Sequence, residues 1–165
     1  MADTDPPAGG ADPDAEATVG SGAGAVIVPV EPTSTLRSTI AHVAESAAED
    51  GAPAIHLVEI ASWRNGDPES DDRAAAAERV LERVSAWTTA DLDDSEAPGA
   101  ADVEVVTAVL GADDYLFGAD DYARVLAEYA EANGADRVVL DPEYTPVGNT
   151  TLLQPLEFAL SNTPL

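Results

Sequence analysis

The stretch "YARVLAEYAEANGADRVVLD", Tyr122 to Asp141, decides the fold. Its first part reads as a helix from about Asp120 to Asn133, closed by Gly134. The run "RVVLD", Arg137 to Asp141, then reads as a strand. Working outward, the same alternation fills the rest of the chain. "AVIVPV", Ala25 to Val30, is a short β-branched run bounded by Gly24 and Pro32, and reads as a buried strand. In "TSTLRSTIAHVAESAAEDG", Ser34 or Thr35 is placed to cap a helix whose apolar face carries Leu36, Ile40, Val43 and Ala47. Gly51 follows its last turn. "AIHLVEI", Ala54 to Ile60, predicts a second strand, and Asp71 to Trp87 a helix with Val80, Leu81, Val84 and Trp87 as its stripe. "TADLDDSEAPGAAD" reads as an acidic loop, and Val103 to Leu110 as a third strand.

Strand and helix alternate four times. Parallel strands with right-handed crossovers follow, hence an α/β, Rossmann-like, doubly wound parallel sheet with helices on both faces. "TTLLQPLEFALSN" is a last helix candidate, in which Pro155 is either a kink or a first-turn residue. The chain stops at "SNTPL" where a fifth strand is due, so the last edge strand is expected to be missing or dispensable. Residues 1–24 are rich in Ala, Gly, Asp and Pro and read as a disordered acidic tail, leaving 25–165 as the domain. "GADDY" occurs at Gly111 and at Gly118, too short a period for a repeat architecture.

Composition bounds the setting. Asp and Glu number 32 against 7 basic residues, all Arg, for a net charge of -25. Such a chain repels nucleic acid and anionic membrane surfaces. Because 45% of residues are hydrophobic and fall in periodic blocks, the charge does not imply disorder of the whole. It suits molar salt, where the Debye length shrinks to about 3 Å. The composition resembles that of halophile proteins. With no Cys, disulfides and Cys-ligated metal sites are excluded. No apolar run is long enough to span a membrane and no secretory leader is evident, so a cytoplasmic protein without direct membrane insertion is expected.

"VIVPVEPTSTLRSTIAHV", "AIHLVEI" and "YARVLAEYAEANGADRVVLD", taken in order and spacing, resemble the universal stress protein superfamily over about Ala25 to Leu160. The resemblance implies a strand order 3-2-1-4-5 and a homodimer through the last strand. Many members of that family bind ATP through a loop of pattern G-x2-G-x9-G-[ST] after the fourth strand. Glycines there let backbone N–H groups approach phosphates at a helix N-terminus. Set against this pattern, the chain has Asp141, Tyr144, Gln154 and Pro155 at the four motif positions. Gly148, Asn149, Thr150 and Thr151 remain as phosphate contacts, a weak signal. After the first strand, where ATP-binding members carry Asp, stands Glu31, followed by Pro32 and Thr33.

These substitutions argue against ATP as a cofactor and leave Glu31, Thr33, Asp141, Gly148, Asn149 and Thr150 as ligand-face candidates, with Glu143 beside them. A structural turn fixed by Pro142 and Pro146 is an equal reading of the same residues. "VPVEPTSTLRSTIAHV" and "DRVVLDPEYTPVGNTTLLQPLE" further resemble the soluble domain of the haloarchaeal E-type component of multisubunit monovalent cation/proton antiporters. That resemblance implies a non-enzymatic regulatory or interaction domain. Its partners would be the other antiporter subunits or a following membrane segment, which would tether it to the cytoplasmic face of the membrane. The alternative is a stand-alone universal stress protein that takes adenine nucleotide through a degenerate loop. An enzyme of the related adenine-nucleotide hydrolase-like folds is a third class, for which no catalytic set is recognisable. His42 and His56 read as surface or core residues, Trp63 and Trp87 as packing residues, and Asp113, Asp114, Asp120 and Asp121 as a solvated loop rather than a metal site. Glu78–Arg83 and Arg79–Glu82 are expected as surface ion pairs.

Overall fold

Nine elements follow one another in a computed structural model, which describes residues 17–20, 24–31, 33–61, 70–110, 119–143 and 155. They are β1 (Ala17–Gly20), β2 (Ala25–Pro29), α1 (Leu36–Asp50), β3 (Ala54–Ile60), α2 (Ser70–Asp94), a 3-10 turn (Ala100–Asp102), β4 (Glu104–Leu110), α3 (Ala119–Ala132) and β5 (Ala135–Leu140). One five-stranded sheet runs β1-β5-β2-β3-β4. The β5–β2, β2–β3 and β3–β4 pairs are parallel, and β1 joins β5 antiparallel. The four parallel strands take the expected 3-2-1-4 order.

The central strands are buried on both faces, as parallel sheets flanked by helices require. Along β2, Val26 and Val28 face the core under α1 and α2, and Ala25 and Ile27 face the core under α3. The first core includes Leu36, Ile40, Val43 and Ala47 of α1 with Leu81, Val84 and Leu92 of α2. The second joins Val58 and Ile60 of β3 to Tyr122, Leu126 and Ala130 of α3 and to Val138 and Leu140 of β5. Each fully buried aliphatic side chain of this kind contributes about 1.5–3 kcal/mol. Gly51 and Gly134 end α1 and α3 in the left-handed region, at φ 71° and 67°, where a Cβ would clash with its own backbone.

Three differences from the sequence reading have physical causes. The stretch that reads as a tail contains β1, whose Ala17 to Gly20 pair with Leu140 to Arg137. Four residues are too few to show a period, and what draws them is the open backbone edge of β5. The edge position expected to be empty is therefore filled from the amino-terminal side. The rest of that stretch apart from Gly24 lies outside the described residues, as do both "GADDY" copies apart from Ala119 onward, Trp63, and the last helix candidate except Pro155, which is helical.

Second, α2 runs on to Asp94 through residues that read as loop. Leu92 is buried one helical stripe on from Leu81 and Val84, and the Thr88 hydroxyl donates to the Val84 carbonyl at 2.8 Å. Third, Glu78–Arg83 and Arg79–Glu82 are not among the ion pairs of the described residues. Instead Arg37 of α1 grips Asp91 of α2 with two hydrogen bonds of 2.7 and 2.9 Å. Its guanidinium lies 5.6 Å from the centre of the Trp87 ring.

Candidate functional site

In an open doubly wound sheet, ligands collect beyond the carboxyl ends of the strands, where the chain reverses direction across the sheet. Here that point lies between β2 and β5. It is bounded by Glu31, Thr33 and the start of α1 on one side and by Asp141 and Glu143 on the other.

Asp141 follows the last residue of β5 and is fully buried. A buried carboxylate needs a donor for each lone pair it keeps. Thr33 donates to Oδ2 at 2.8 Å, Thr39 to Oδ1 at 2.7 Å, and Thr35 reaches both oxygens at 2.9 Å. The backbone N–H of Glu143 adds a bond of 3.0 Å to Oδ2. Thr35 is the N-cap residue of α1, yet its side chain makes no capping bond, because its hydroxyl is turned to Asp141. The negative charge that a helix N-terminus favours is supplied from β5 instead. Glu143 does the same one residue earlier, accepting from the Ser34 N–H at 3.1 Å and the Ser34 hydroxyl at 2.7 Å. The end of β5 is thereby laced to the start of α1.

Of the candidates that the sequence offers, Thr33 and Asp141 come together in this cluster. Glu31 is half-buried just past β2. Gly148, Asn149 and Thr150 lie outside the described residues, as do Tyr144 and Gln154. Thr35 and Thr39 escape the sequence reading as site residues, although "TSTLRST" places three threonines, Thr33, Thr35 and Thr39, around the first turn of the helix.

Glu59, one residue before the end of β3, escapes it too. Its carboxyl is pushed up to about 7, first by burial and second by the charge of Glu31. One of its oxygens is buried without a hydrogen-bond partner. The visible signal is an acid inside the otherwise apolar run "AIHLVEI".

His56 is buried on the opposite face of β3, with Nδ1 2.9 Å from the Tyr129 hydroxyl and the rings edge to face at 5.5 Å. Burial lowers its pKa below the ordinary value. It is a core residue, whereas His42 lies less buried on α1. Among the described residues no three His, Cys, Asp or Glu groups are placed to hold a metal ion. Asp121 lies 3.8 Å from Arg124.

The cluster at Asp141 ties the end of β5 to the start of α1 through both carboxylate oxygens. Among the described residues no helix is long and apolar enough to cross a membrane.

No protein-family model matches the chain. No curated protein matches it either. Among solved structures, the chain is similar to a universal stress protein from Archaeoglobus fulgidus, with a TM-score of 0.50 at 13% identity, over 85% of this chain and 93% of that one. The sheet order, the helices on both faces and this likeness together give the chain the fold of a universal stress protein.

Proposed function

We propose that the chain is a non-enzymatic regulatory or interaction domain that has the universal stress protein fold without using it to bind ATP. The observation that carries this reading is the engagement of Asp141. At the switch point of the sheet, the position where the family's loop begins with Gly holds a buried carboxylate bonded to Thr33, Thr35 and Thr39. A phosphate brought there meets a fixed negative charge and hydroxyls already committed. The carboxyl-end face then serves to contact a partner rather than to hold nucleotide.

The resemblance of the Val28 and Asp136 segments to the E-type antiporter component supports a membrane cation/proton antiporter as that partner, approached from the cytoplasm. The transport chemistry would belong to other segments and subunits. Co-purification of the domain with the assembled antiporter from its native membrane tests this; recovery of the antiporter without the domain would remove the assignment.

Nucleotide binding is tested directly by calorimetric titration of ATP into the purified chain in molar KCl, with mass analysis for retained nucleotide. No heat and no retained nucleotide are expected. The second reading, a stress protein that binds adenine nucleotide through a degenerate loop, draws support from the fold likeness. Micromolar binding would establish it in place of the first.

A further inference from the structure

The sheet ends differently at its two edges. β1 covers the outer side of β5, whereas β4 has β3 on one side and no described strand on the other. The Glu104 N–H donates to the Pro53 carbonyl at 3.0 Å, and the Leu110 carbonyl accepts from the Ala61 N–H at 2.8 Å. Backbone groups alternate in direction along a strand, so Glu104, Val106, Ala108 and Leu110 turn theirs to β3. Val105, Thr107 and Val109 turn theirs outward, where no described residue pairs with them. Bare edges are usually guarded by charge, proline or a bulge. Val105 to Leu110 has no charge and no Pro, and its register with β3 runs unbroken from Ala54–Glu104 to Ile60–Leu110.

Beside this edge lies an open groove of about 570 Å³. Thr107 and Val109 form its floor, and Glu78, Leu81, Glu82 and Ser85 of α2 form its wall. Glu78 and Glu82 are exposed and enter no ion pair among the described residues. Four residues along a helix span about 6 Å, and alternate residues along a strand span about 7 Å. Two side chains of an added strand, two positions apart, therefore reach both carboxylates together.

We infer that the β4 edge and this groove bind an extended segment of a partner protein in which two basic residues flank one apolar residue. The segment adds a strand to the sheet, its backbone pairing with Val105, Thr107 and Val109. Its basic side chains face α2 and meet Glu78 and Glu82. The residue between them turns to the other face of the sheet, beside the partly buried Ala108 and Leu110. A second copy of the chain suits this edge less well. Two β4 strands paired about a two-fold axis put both α2 helices on one side of the joined sheet, glutamates toward glutamates. The edge lies two strands from the switch point, so the site stands whether or not nucleotide binds there.

The test is an NMR titration of the full chain, in 0.5 and 2 M KCl, with the blocked peptide acetyl-Thr-Val-Arg-Val-Arg-Val-Thr-amide. Saturable shifts are expected at the β4 edge, with the Val105, Thr107 and Val109 amides gaining protection from hydrogen exchange and those of Val106 and Ala108 unchanged. The dissociation constant should be on the order of 0.1 mM in 0.5 M KCl and larger in 2 M. Glu78→Gln and Glu82→Gln, at exposed positions, should each weaken binding about threefold to tenfold. Thr107→Pro removes an outward N–H and no bond of the β3 ladder, and should abolish binding. The glutamine variants decide the matter if the proline variant does not fold. Equal binding of acetyl-Thr-Val-Val-Arg-Arg-Val-Thr-amide, whose arginines point to opposite faces, would reduce the effect to general attraction by the acidic surface and overturn the site. So would absent shifts, or parental affinity in both glutamine variants. Protection of the three outward amides before peptide is added would also overturn the assignment. It would give the edge to a second copy if protection rises with protein concentration, and to another segment of this chain if it does not.

Discussion

Asp141 and Glu59 are two carboxyl groups near the same end of the sheet, and their environments set them apart. Asp141 is surrounded by donors, so its removal leaves the buried Thr39 hydroxyl and the half-buried Thr33 and Thr35 hydroxyls without their acceptor. Asp141→Ala should cost about 3 kcal/mol in chemical denaturation, while Asp141→Asn, which keeps the shape and one acceptor, should cost about half of that. An alanine variant as stable as the parent would show that the cluster contributes nothing net. Glu59 has the opposite problem, being buried with too few donors, so it prefers its proton. Its carboxyl titrates near 7 in the folded chain against an ordinary value of 4.5. The folded state therefore binds this proton more tightly than the unfolded state, and the group's contribution is fully present below about pH 4.5 and lost as pH rises through about 7. Allowing for solvent around its half-buried side chain, the loss is on the order of 1–2 kcal/mol. Unfolding curves of Glu59→Gln and the parent at pH 5 and pH 8 should show the variant gaining relative to the parent at the higher pH. A constant difference would show that Glu59 ionises as an ordinary surface acid. Sequence makes Asp141 and Thr33 visible as neighbours of the switch point, but the convergence of Thr35 and Thr39 on one carboxylate is a tertiary contact that no local pattern encodes.

The helices and parallel strands are legible wherever periodicity is long enough to act as a signal. β3 reads to the residue as Ala54–Ile60, and α1 with its buried Leu36, Ile40, Val43 and Ala47 follows the expected stripe. The two elements that escape lack such a signal. The last two turns of α2 are so acidic that only Thr88 and Leu92 betray the continuing stripe, and β1 has four residues. β1 also has the clearest consequence at this scale, because it covers the backbone edge that β5 would otherwise present to another chain. Removing residues 1–23 should leave a folded domain that self-associates. Sedimentation velocity should give a concentration-dependent increase for the shortened chain relative to the full one. Identical sedimentation of the two would mean that the edge of β5 is protected by something other than β1.

For the molecule as a whole, electrostatic self-repulsion is an unfavourable term that salt can tune. A net charge of -25 on 165 residues opposes the compact state at low ionic strength, and exposed ion pairs such as Arg124–Glu128 offset little of it. The thermal midpoint should rise by on the order of 10 °C between 0.1 and 2 M KCl as screening shortens the range of repulsion. A midpoint insensitive to salt would mean that the carboxylates are arranged so that their repulsion is negligible.

The pairing of β1 with β5 also sets a timetable. Ala17 meets Leu140 and Gly20 meets Arg137, so β1 leaves the ribosome well before the strand it pairs with. At cellular rates of synthesis β1 waits about ten seconds for β5 to appear. The β2–β3 and β3–β4 ladders join neighbouring strands and have no such wait. The sheet is therefore built outward from its middle, and the strand that seals its edge is made before the other four and placed after them.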